Sequence, residues 1–70
     1  MAFLMRSSSL HFTAEDKLTC VLRELQMRER VYPIWVEKGR MSAEKSEREM
    51  ALMASIVEDY RALAEKERLL

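Results

Sequence analysis

Arg28-Glu29-Arg30-Val31-Tyr32-Pro33-Ile34-Trp35-Val36-Glu37-Lys38-Gly39-Arg40-Met41-Ser42 decides how this chain folds. A proline inside a helix removes one amide donor and crowds the carbonyl four residues earlier, here that of Glu29. A true break would lose the apolar phase. At about 100° per residue, Leu18, Val21, Leu22, Leu25, Tyr32, Trp35 and Val36 fall within roughly 140° of arc, four before the proline and three after it. The phase therefore crosses Pro33, and the pattern predicts one kinked helix instead of two unrelated ones. Gly39 stops it, because glycine takes a left-handed cap without steric cost. Lys38 and Arg40 suit the negative end of the helix dipole.

Working outward, Thr13 is the expected start of this first helix, with its hydroxyl accepting from the Asp16 amide. Glu15 and Asp16 suit the positive end of the dipole. Ser42 caps a second helix expected from Ala43 to about Arg68, with Ser46 and Glu49 as an alternative capping box one turn later. That helix has five alanines, Ala43, Ala51, Ala54, Ala62 and Ala64, and neither Gly nor Pro. Glu24 with Arg28, and Glu44 with Arg48, are favourable pairs four residues apart. Each helix would be ~39 Å long, and the short turn at Gly39-Arg40-Met41 makes them antiparallel neighbours. Residues 1–12 show no helical period: Phe3, Leu4, Leu10 and Phe12 flank a run of serines. They are read as a flexible or docked tail on a helical domain spanning 13–70.

The faces carry the next inference. In the second helix Met50, Leu52, Met53, Ile56, Val57, Tyr60, Leu63 and Ala64 span roughly 160°, more than one facing helix covers. The expected fold is an all-α antiparallel helical hairpin that dimerises into a four-helix bundle with coiled-coil-like packing. Its hairpin or dimer core is expected to draw on Leu18, Leu25, Tyr32, Trp35, Met53, Val57 and Tyr60. A second stripe, Cys20, Met27, Val31 and Ile34, occupies about 60° on the opposite side of the first helix. Arg23 and Arg30 border it. It is either a dimer seam or a partner surface, and the partner-binding candidates are Arg23, Met27, Arg30, Val31 and Ile34. Glu29 interrupts the main face and is expected either to reach solvent or to pair with Arg28, Arg48 or the Tyr32 hydroxyl.

Composition narrows the function. The chain has 70 residues, 49% of them hydrophobic and 34% charged. One cysteine and one histidine make neither an intrachain disulfide nor a four-ligand zinc site. A chain this short supplies a core worth only ~3–5 kcal/mol, so self-association is the remaining staple. Lys plus Arg number 12 and Asp plus Glu 12, a net charge of zero with no basic arm, so nucleic acid is a poor partner. No run approaches the ~18 apolar residues of a membrane span. Met1–Arg6 is too short and wrongly ordered for a secretory signal, so a cytoplasmic location is expected. His11 sits in the tail. Cys20 has no activating base and reads as a small apolar filler. Glu58-Asp59 and Glu65/Glu67 read as a solvated face. The chain is not expected to be an enzyme or to bind a cofactor.

The run Arg28–Met41, followed by Glu49-Met50-Ala51-Leu52-Met53, resembles short proteins encoded in phages and prophages. Their shared pattern is R-x-Y-P-x-W-V, then G-R-M, then a Met-rich second helix, and the likeness covers residues 17–70. In size and architecture the chain is also similar to the phage anti-quorum-sensing protein, a helical dimer, and none of that protein's functional residues are carried over to positions here. The resemblance implies a phage- or prophage-encoded homodimer that binds and inhibits or redirects a host protein. The alternatives are a structural subunit of a phage or larger assembly, and an RNA-binding hairpin dimer.

Overall fold

A computed structural model of the chain describes residues 11–70; the reading of residues 1–10 as part of a tail lies outside them. Two helices, α1 (Ala14–Glu37) and α2 (Ala43–Leu69), pack against each other, with no strand among the described residues. The helices run antiparallel. The Ala14 amide donates to Glu67 Oε1 at 3.1 Å at one end, and Arg28 reaches Glu49 further along.

The helix ends follow from local chemistry. Thr13 Oγ1 accepts from the Asp16 amide at 3.0 Å, and the Thr13 amide donates to Asp16 Oδ2 at 3.1 Å. This reciprocal pair is a capping box built with Asp in place of Glu, and it satisfies two amides that have no helical partner. The Ala14 amide, a third such donor, is taken by Glu67. At the other end α1 stops at Glu37, with Lys38 as its cap and Gly39, the expected stop, just after it. Arg40 N donates to Trp35 O at 2.8 Å and Gly39 N to Val36 O at 3.0 Å. These bonds close a Schellman motif, which turns the chain through Gly39 at φ +74°. Ser42 then caps α2 by accepting from the Lys45 amide at 3.0 Å, so Ser46 is not the start.

Helix α1 runs on through Pro33. The proline is exposed, so water can reach the Glu29 carbonyl that it leaves without a donor. Packing explains the continuity. Tyr32 just before Pro33 is buried, and Trp35 and Val36 just after it are half-buried on the same side. A break at Pro33 would expose one group or the other.

The core is thin. Among the described residues Ala14, Tyr32, Met53 and Val57 are the buried ones, and no large side chain is fully buried. Of the expected core residues, Tyr32, Met53 and Val57 are buried, while Leu18, Leu25, Trp35 and Tyr60 are half-buried. Trp35 stacks on Tyr32, with ring centroids 5.6 Å apart and planes at 29°.

Gly39→Ala tests the turn. A Cβ there would meet nothing within 4 Å, so the cost is conformational alone. The variant should lose about 1 kcal/mol, read as a lower urea midpoint with an unchanged slope. An unchanged midpoint would mean that the left-handed turn does not limit stability.

Candidate interaction surfaces

Arg28 organises the middle of the helix pair. Its side chain is only 17% exposed. Nε donates to Glu24 Oε2 at 2.9 Å, and Nη1 donates to the Glu49 carbonyl oxygen at 3.0 Å. The Glu49 carboxylate lies 3.7 Å away, and the guanidinium carbon is 5.7 Å from the Tyr32 ring centroid. Arg28, Tyr32 and Trp35 thus form one stack along α1, and its charged end is tied to α2. Sequence spacing alone shows the Glu24–Arg28 pair. The bonds to Glu49 need the turn, the register and the fork of the guanidinium.

Glu29, next to it, is exposed and makes no ion pair among the described residues, so its interruption of the apolar face ends in solvent. It sits on the flank of the arc that faces away from the Arg28 cluster. Two further expectations need correction. Cys20 is an exposed thiol, not a filler, because its stripe points away from α2. Glu67 is not merely solvated, since it caps the Ala14 amide across the pair. Glu65 does keep to the surface, paired with Arg68. The hydrogen bond that Arg68 donates to the Glu65 carboxylate, and then the charge of Glu65, raise the Arg68 pKa above the ordinary arginine value.

Two contacts set which sides of the helices lie together. Lys17 Nζ is 6.0 Å from the Tyr60 ring centroid, and Arg28 is bonded to Glu49. At about 100° per residue, Lys17, Glu24, Arg28 and Trp35 lie on one side of the inward line of α1. Glu49, Ile56 and Tyr60 lie on one side of the inward line of α2. The contacts bring these two sides together into one broad mixed face. Leu52 and Leu63 continue it on α2, and Val31 borders it on α1. Leu52 is 47% exposed and Leu63 43%. The opposite face, around Glu29, carries Glu15 on α1 and Glu47, Glu58 and Arg61 on α2, with Arg61 paired to Glu58 at 3.5 Å. The two faces differ in kind: one has large apolar side chains between paired charges, and the other is mainly charged.

A third surface is the outer edge of α1, where the partner-binding candidates sit. Ile34 is 46% exposed, Met27 and Val31 are half-buried, and Arg23 and Arg30 are exposed. Neither arginine takes part in an ion pair among the described residues. A shallow groove here is lined by Cys20, Arg23, Glu24, Gln26, Met27 and Arg30. Phe12, just before α1, lines a neighbouring groove with Lys17, Cys20 and Arg23. No group of three or more His, Cys, Asp or Glu residues suited to a metal ion occurs among the described residues, and no helix there is long and apolar enough to cross a membrane.

Comparison of the chain with protein-family models, curated proteins and solved structures finds no match.

Arg28→Ala should destabilise the helix pair by about 1–3 kcal/mol, since it leaves the Glu24 carboxylate and the Glu49 carbonyl oxygen without their shared donor. Arg28→Lys should recover little of this, because one ammonium cannot span both helices with the same fork. Chemical denaturation of the three proteins side by side checks both statements. Full rescue by lysine would show that only charge matters at this position.

Proposed function

We propose that this chain is a non-enzymatic interaction protein, a helical hairpin that works as a homodimer and binds a host protein through the outer edge of α1. In this reading it is phage- or prophage-encoded and cytoplasmic, and it inhibits or redirects the protein it binds. The observation that carries the reading is the edge itself: Met27, Val31 and a 46% exposed Ile34, bordered by Arg23 and Arg30 without ion-pair partners among the described residues. Met and Arg beside aliphatics have the composition of an interface core. Exposed apolar groups of this kind mark interaction sites. Pro33 lies on this helix, and the kink expected there would let α1 curve around a second copy.

The two arginines shape the expected partner. An apolar stripe with guanidinium groups on its border suits a surface of apolar side chains edged by carboxylates. The same arginines, doubled in a dimer, are also what an RNA-binding reading would use, although the net charge of zero gives it little long-range support.

A nuclease-treated affinity pull-down from bacterial lysate tests the proposal. Wild type should retain one host protein, while Val31→Asp and Ile34→Asp lose at least about tenfold in capture with unchanged helicity by circular dichroism. Arg23→Gln with Arg30→Gln should weaken capture and flatten its dependence on salt. Loss of helicity in both aspartate variants would make the edge structural. Capture only when nuclease is omitted would favour RNA.

A further inference from the structure

Two exposed surfaces with apolar side chains, the mixed face and the outer edge of α1, are set apart by their charges. On the mixed face, Arg28 is already bonded to Glu24 and to the Glu49 carbonyl, with the Glu49 carboxylate at 3.7 Å. Lys17, whose ammonium lies 6.0 Å from the Tyr60 ring, together with Lys45 and Glu67, which at about 100° per residue share the directions of Leu63 and Glu49 on α2, completes a balanced set of three cations and three carboxylates. Such a face can meet an identical face without net repulsion, and its central charge has partners before it is covered. The outer edge of α1 is the reverse case. It presents Arg23 and Arg30 without ion-pair partners among the described residues, so docking on itself would bring four guanidinium groups together.

Area points the same way. A face ~36–40 Å long and two helices wide measures roughly 800 Å², the area each partner contributes to a stable interface of ordinary size. The outer edge of a single helix offers about half of that. The thin core gives the need: Leu52 and Leu63 stay 47% and 43% exposed beside a core whose buried members are Ala14, Tyr32, Met53 and Val57.

We propose that the mixed face, centred on Leu52, Ile56, Tyr60 and Leu63 of α2 with Trp35 of α1, is the seam with a second copy of this chain, and that the outer edge of α1 lies outside that seam. The inference rests on the homodimer reading above and adds which surface the second copy covers. Two-fold symmetry uses the same patch on both copies, so one set of substitutions acts twice.

Analytical ultracentrifugation of the full chain, with circular dichroism on the same samples, is the test. Wild type should sediment at twice the 8.3 kDa chain mass. Leu52→Gln with Leu63→Gln should self-associate about 100-fold or more weakly, because four partly exposed leucines lose their cover across the dimer. Ile34→Asp should remain dimeric. A monomeric wild type overturns the proposal. So does a dimer that survives the Leu52/Leu63 change with helicity intact, or one that Ile34→Asp dissolves instead. Should the double variant fail to fold, hydroxyl-radical footprinting of wild type at high and low concentration decides. Protection of Leu52, Leu63 and Trp35 with Ile34 and Met27 unprotected supports the seam, and the reverse pattern overturns it. Partner capture is read separately by the pull-down, so a chain that dimerises through this face yet retains no host protein refutes the proposed function alone.

Discussion

Two helices packed side by side can each hide only the strip that faces the other, and much of this molecule follows from that limit. The chain folds into a helix pair whose buried residues, among those described, are Ala14, Tyr32, Met53 and Val57. A core of that size leaves little margin against the entropy of ordering two long helices. The ends of the helices and the charged contacts between them therefore carry more weight than in a larger domain. Thr13, Asp16 and Glu67 together take three amides at the start of α1, and the Schellman turn at Gly39 takes the Trp35 and Val36 carbonyls at its end. Each such contact is worth about 1 kcal/mol, a sizeable share where the total is small.

Arg28 shows how a charge can sit inside such a thin interface. It is 17% exposed, yet its donors go to Glu24 on its own helix and to the Glu49 carbonyl on the other, and its flat group lies near the Tyr32 ring. The guanidinium gives up water but keeps hydrogen bonds, so the desolvation cost is offset. It also fixes the register of α1 against α2 at mid-length, where apolar packing alone would tolerate sliding. The Glu67–Ala14 bond fixes it again at the far end. Register in turn determines which side chains share a face, and so the surface on which both proposals rest.

The local readings and the structure agree where the physics is local. Thr13, Ser42 and Gly39 act at the positions their chemistry suggests, and the apolar phase across Pro33 does belong to one continuous helix. The readings diverge at residues whose role depends on the other helix. Cys20 lies on an apolar stripe and is exposed, because that stripe faces away from α2. Glu29 interrupts the apolar arc but lies at its flank, in solvent. Glu67 has the composition of a solvated face and still caps α1 from 53 residues away in the chain. The Arg28 cluster was half visible, since Glu24 is four residues away, and half hidden, since Glu49 comes close only after the turn.

By itself, then, the sequence determined the two helices, their ends, and an excess of apolar surface over what one partner helix can cover. Those properties depend on residues within a turn or two of each other: a hydroxyl against an amide, a glycine at positive φ, a repeat near 3.6 residues. The tertiary structure alone decided which side of α1 meets which side of α2. That choice gathers Arg28 with Glu24 and Glu49, joins Leu52, Leu63 and Trp35 into one face, and leaves Arg23 and Arg30 on an edge by themselves. It could not be read from spacing, because a helical repeat states only the relative direction of side chains on one helix. The rotation of each helix about its own axis is set by long-range contacts that form once the turn has closed.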